Sequence, residues 1–151
     1  MEQRALEITI VSVRHLPKTD TLGACDPYVS LEFDGTTQQT SVKKRTYSAD
    51  YNEIFTFLIS GQSGPLVLSL YDWNMATSNA KIGSNHVSWE DIRNILLQPL
   101  GFERNMSFKI YDAAKTVIGN DKVPTEVNIR IRTLSALKNN QIPHVDRRRV
   151  G

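Results

Sequence analysis

Asp20 and Asp26 stand six positions apart across Gly23, and the second carboxylate opens straight into the apolar run Pro27-Tyr28-Val29. A second acidic turn, Asp72-Trp73-Asn74, closes another apolar run farther along the chain. Turns of this kind at strand ends, once folded together, aim several oxygens at one point. That environment suits a hard cation such as Ca²⁺, which takes several oxygen ligands in flexible geometry. Either turn alone is ordinary, because Asp starts turns and Asp-Pro is a common one. The pair carries the information.

The elements that must position these turns show in the alternation of side chains. Leu6, Ile8 and Ile10 share one face of a first strand, with Glu7 and Thr9 on the other. Tyr28 to Phe33 predicts a second strand ending at Asp34-Gly35, a hairpin pair that tolerates positive φ, with Gln39 to Lys43 as its return partner. Further strands are predicted at Ile54 to Ile59, Leu66 to Tyr71, Ile82 to Val87, Met106 to Tyr111 and Val127 to Arg132. Ser88-Trp89-Glu90-Asp91 reads as a capping box, and Ile92, Ile95 and Leu96 give the following helix one apolar face before Pro99 and Gly101. The expected architecture is all-β: an eight-stranded antiparallel sandwich with one short helix between the sixth and seventh strands. Residues 1–134 form the predicted domain, and 135–151 a polar, basic and flexible tail.

Composition narrows the function classes. A chain of 151 residues with 23% charged and 40% hydrophobic side chains fits one ordinary globular domain. Lys138, Arg147, Arg148 and Arg149 against Asp146 give residues 135–151 a net +3, so the total of +2 leaves the body at −1. A body of that charge is not a nucleic-acid-binding domain. Cys25 is the only cysteine, which excludes a disulfide framework. Met1-Glu2-Gln3-Arg4 leads directly into a strand, and the apolar runs are too short to cross a bilayer, so a cytoplasmic location is expected. No phosphate-binding glycine loop, H-E-x-x-H or G-x-S-x-G occurs, and the expectation is that the chain is not an enzyme.

Over residues 6 to about 134 the chain resembles the C2 domain, the calcium- and phospholipid-binding sandwich of membrane-docking proteins. Leu6 to Leu16 resembles the family's opening strand, and Asp20 to Val29 its first acidic loop with the Asp-Pro-Tyr-Val ending. Tyr51-Asn52-Glu53-Ile54-Phe55-Thr56-Phe57 is similar to its aromatic-Asn-Glu strand entry. Leu70 to Asn74 resembles the entrance to its third loop, and Ile82-Gly83 the exit. The order of strands resembles the second of the family's two circularly permuted topologies.

The resemblance implies a calcium site of five acidic positions, here only partly kept. Asp20, Asp26 and Asp72 match three of them, Asn74 stands at the fourth as a neutral auxiliary, and Ala80 stands at the fifth. Asn79 and Ser78 adjoin the gap, and Lys81 beside it opposes a cation. Each lost carboxylate removes an attraction of about 4 kcal/mol at short range and an effective dielectric near 20. Ca²⁺ dependence is therefore expected to be weak or absent.

The resemblance also implies membrane contact at the loop tips. The candidates are Leu22 in the first loop and Met75 in the third, with Lys43-Lys44-Arg45 as a source of positive charge toward an anionic leaflet. Folding back of Leu22 and Met75 onto the loops is the alternative, and for the basic turn a solvated charged turn is the favoured reading. Glu7 on the neighbouring strand is expected to pair with the outer-face Arg130 and Arg132. Cys25 reads as a small loop filler and Trp73 as a loop brace. The functional expectation is a monomeric domain that binds anionic phospholipid at the cytosolic face of a membrane. The alternative is a calcium-independent scaffold or adaptor domain with a protein partner.

Overall fold

The computed structural model describes residues 3–18, 24–61, 63–73 and 79–136. Asp20, Leu22, Asn74, Met75 and Ser78, together with all but the first two residues of the predicted tail, lie outside them. In chain order the elements are β1 (Arg4–Arg14), β2 (Pro27–Phe33), β3 (Thr36–Gln39), β4 (Ala49–Leu58), β5 (Leu66–Asp72) and β6 (Ala80–Val87). They continue with α1 (Trp89–Leu96), β7 (Glu103–Lys109), β8 (Gly119–Asn120), β9 (Val123–Pro124) and β10 (Glu126–Ser135).

Two four-stranded antiparallel sheets, β4-β1-β10-β7 and β3-β2-β5-β6, face each other. Alternation explains why. Phe55 and Phe57 on β4, Leu68 and Leu70 on β5, and Val127, Ile129 and Ile131 on β10 all turn inward and are buried. Phe33 meets Phe57 edge-on across the core, ring centroids 5.7 Å apart. The predicted antiparallel sandwich, with one helix between the sixth and seventh strands, is the observed fold. Two details differ. The return strand after Asp34-Gly35 runs over Thr36–Gln39, not Gln39 to Lys43. A two-residue hairpin, β8 with β9, is added between β7 and β10, making ten strands among the described residues where eight were expected.

The helix forms where its cap predicts. Ser88 Oγ accepts the Asp91 N–H at 3.1 Å, and Ile92 and Ile95 are buried beneath it. On the outer face, Arg132 stands opposite Glu7 in the β1–β10 register, with Nη1 3.9 Å from Oε1. Arg130 instead donates to Asn105 Oδ1 at 3.3 Å.

Strand direction fixes which connections meet. The chain runs toward one pole in β1, β3, β5 and β7 and away from it in β2, β4, β6 and β10. The β1–β2, β3–β4, β5–β6 and β7–β10 connections therefore share that pole, here called the rim. The β6–β7 connection, which contains α1, lies at the other.

Candidate functional site

The rim is organised by the β2–β5 register, which sets Pro27 opposite Asp72. Proline suits the first position of a strand, where its missing N–H breaks no ladder bond. The pairing places the acidic residue before Pro27 against the end of β5. Asp26 donates its N–H to Asp72 Oδ1 at 2.8 Å, and Trp73 N–H donates to the Asp26 carbonyl at 2.8 Å. The turns separated in sequence are thus clamped together through main chain and side chain.

The third participant is the β3–β4 connection. Lys43 N–H donates to the Pro27 carbonyl and Thr46 N–H to the Cys25 carbonyl, both at 3.0 Å, so this segment lies along the end of the first acidic loop. Arg45, held at φ 44°, donates its N–H to Asp26 Oδ1 at 2.7 Å. Lys44 Nζ stands 3.5 Å from the centroid of the Trp73 ring, and Lys43 Nζ 5.6 Å from that of Tyr51. A cation over an aromatic face is attracted by the ring quadrupole. The basic turn therefore lies beside the acidic turns, with Lys44 and Arg45 exposed to solvent.

Buried polar groups hold this arrangement from below. Glu53, only 5% exposed, accepts the Ser41 N–H at 3.0 Å and the Ser41 hydroxyl at 2.6 Å. Tyr51 donates its hydroxyl to the Pro27 carbonyl at 2.5 Å. Burial, with a contribution from the Glu53 charge, pushes the Tyr51 phenol well above its ordinary pKa despite the opposing Thr40 hydrogen bond. Tyr28 stacks on Tyr71 with centroids 5.2 Å apart, and Asn79 Nδ2 donates to the Tyr28 hydroxyl at 2.8 Å. Cys25 is buried beside Thr46. The β7–β10 excursion joins the same pole, since Asn120 Nδ2 donates to the Leu16 carbonyl and Thr125 Oγ1 to the His15 carbonyl.

Of the residues singled out in the sequence, the structure brings Asp26, Asp72, Trp73, Lys43, Lys44 and Arg45 together. Ala80 and Lys81 follow on β6, opposite Asp72 and Tyr71 in the ladder, and both are exposed. Sequence reasoning did not find the roles of Glu53, Ser41 and Tyr51. The aromatic-Asn-Glu motif was their signal, but it does not say what the carboxylate holds.

Metal-binding capacity can be read from these partners. Asp26 and Asp72 each use one carboxylate oxygen on a main-chain N–H and keep a second. Among the described residues no group of three His, Cys, Asp or Glu side chains converges as a metal site. Two carboxylates fall short of the roughly six to eight oxygens Ca²⁺ prefers. The described residues thus supply two carboxylates short of a full oxygen-ligand set, with the Lys44 ammonium seated on the adjoining Trp73 ring.

The sequence profile of the C2 domain matches residues 4–102, and the chain belongs to the C2 domain family. Its sequence is 35% identical over 79 residues to mouse Ras GTPase-activating protein 4, a match covering 52% of this chain and 10% of that protein. It is 31% identical over 91 residues to Synaptotagmin-3 of Arabidopsis thaliana, covering 58% of this chain and 17% of the relative. The chain therefore spans only a small part of these curated relatives. In fold it is similar to a C2 domain of plant Extended Synaptotagmin 1, with TM-score 0.72, 18% identity, and 89% of this chain and 97% of that one covered. The paired C2 domains of Extended-Synaptotagmin 2, calcium bound, align with TM-score 0.68 and 16% identity over 92% of this chain and 49% of theirs.

Proposed function

We propose that this C2 domain is a non-enzymatic, monomeric module that docks on an anionic phospholipid surface at the cytosolic face of a membrane, with little help from calcium. The observation that carries the reading is the basic turn on the acidic rim, with Arg45 N–H 2.7 Å from Asp26 Oδ1 and Lys44 Nζ 3.5 Å from the Trp73 ring. A Ca²⁺ ion bound there shares Asp26 with the Arg45 main-chain N–H and is opposed by the Lys44 ammonium seated on the adjoining Trp73. Lys44 and the exposed Arg45, with Lys43, are the proposed contacts to an anionic leaflet, where each contributes about 1 kcal/mol. Leu22 and Met75 are the proposed apolar contacts. Asp20, Asp26 and Asp72, with Asn74 as auxiliary, are the proposed residual calcium ligands. Among the described residues no helix is long and apolar enough to cross a membrane. The attachment proposed for this domain is peripheral.

Sedimentation with phosphatidylserine vesicles, with calcium and with chelator, tests this. Binding in chelator is expected, with a small calcium-dependent increment that Asp26→Asn removes. If vesicles of no anionic composition pull the domain down, the membrane reading fails and the calcium-independent protein-binding alternative replaces it. Binding that appears only with calcium overturns the role given to the basic turn.

A further inference from the structure

At the pole opposite the rim, α1 lies beside the start of β1 and the end of β4, and a groove of about 650 Å³ runs between them. Ile59, Trp89, Leu96 and Leu97 line it together with Arg4 and Arg93. One face of α1 is spent on the core through Ile92 and Ile95. Leu97, just past its end, is 75% exposed, more than any other large apolar side chain among the described residues. The apolar wall is therefore open to an occupant, and the charges beside it define which one.

Arg4 donates through Nη1 to the Leu96 and Gln98 carbonyls at 2.9 and 2.6 Å, fixing the helix end while adding a positive charge to the groove. Arg93 has no hydrogen-bond or ion-pair partner for its guanidinium among the described residues, although Glu90 and Asp91 stand in the first turn of the same helix. The chain's own C-terminal residues 135–151 carry net +3 and lack the charge complementary to these arginines, although Ala136 N–H donates to the carbonyl of Gln3 at the groove edge. A second copy seating its own groove here sets arginines against arginines. A segment with leucine-like anchors and carboxylates matches both features, because each side chain then meets its complement.

We propose that this groove is a docking surface for an acidic amphipathic segment of a partner protein, held by Leu97 and Trp89 and oriented by Arg93 and Arg4. The site is separate from the membrane reading of the rim and stands or falls without it. The probe is a helical peptide of roughly fourteen residues with leucines at i, i+4 and i+7 and glutamates between them, beside a twin carrying lysines for the glutamates. In proton–nitrogen spectra of the domain, the glutamate peptide is expected to shift the Trp89 indole and the amides of Arg93, Leu96 and Leu97. The lysine twin is expected to bind at least about tenfold more weakly. Leu97→Glu combined with Arg93→Glu, both at exposed positions, is expected to weaken the glutamate peptide by about tenfold or more with an unchanged melting temperature.

Equal binding of the twins, absence of any shift at Trp89, or indifference to the double substitution overturns the proposal. So does loss of phosphatidylserine vesicle binding in the double variant, which assigns the groove to lipid.

Discussion

The two poles of this sandwich use the same chain for different purposes. At the rim, side chains with charge are tied to main-chain donors: Asp72 to Asp26, Asp26 to Arg45, and Glu53 to Ser41. At the helix pole, apolar side chains divide between the core, as Ile92 and Ile95 do, and open solvent, as Leu97 does. Stability at the helix pole therefore comes from packing, which is strong and tolerant of charge nearby. At the rim, polar contacts add to it: the buried Glu53 is held by Ser41, while the exposed Lys44 makes only a ring contact.

The largest effect is expected on the packed side. Ile92→Ala empties a fully buried site and should cost about 2–5 kcal/mol in denaturant unfolding. A loss below about 1 kcal/mol means that α1 contributes little to the core, and the contrast between poles weakens. Glu53→Ala comes next, because it strips two hydrogen bonds from a nearly buried carboxylate and leaves Ser41 unanswered. About 1.5–3 kcal/mol is expected in the same assay.

Tyr51 gives a pH signature for the rim. Its phenol is held protonated by burial in the folded protein, whereas the unfolded chain ionises near pH 10. The unfolded state thus releases a proton that the folded state keeps, and stability falls as pH rises above about 10. Tyr51→Phe should reduce that alkaline fall while costing roughly 0.5–1.5 kcal/mol at neutral pH. An unchanged alkaline slope in the variant places the titration elsewhere. Smallest in stability is Lys44→Ala, expected to cost about 0.5–1 kcal/mol or less at an exposed ring contact. A larger destabilisation makes the turn a structural support and narrows the difference between the poles.

The sandwich was legible because its strands write their burial as alternation, Leu6-Ile8-Ile10 and Val127-Ile129-Ile131 most plainly, and because Ser88 announces the helix. The hairpin return strand was displaced because Thr36 to Gln39 is entirely polar and carries no apolar period, although Gln38 is buried. Strands of two residues, as at Gly119-Asn120 and Val123-Pro124, are too short for any period at all. At the rim, it was the pairing of two acidic turns that pointed to Asp26 and Asp72, since either turn alone is ordinary. The seat of Lys44 on Trp73 was not readable, because it depends on where the β3–β4 connection folds relative to the end of β5. No local pattern in either segment records that contact.

The most direct test is vesicle partitioning in chelator of the domain against its Lys44→Glu, Arg45→Glu variant. Reversal of the two charges proposed to face an anionic leaflet is expected to weaken binding to phosphatidylserine vesicles by at least about tenfold. The melting temperature should stay close to that of the parent. Undiminished binding by a folded variant contradicts the account, because the basic turn on the acidic rim is then not what meets the membrane.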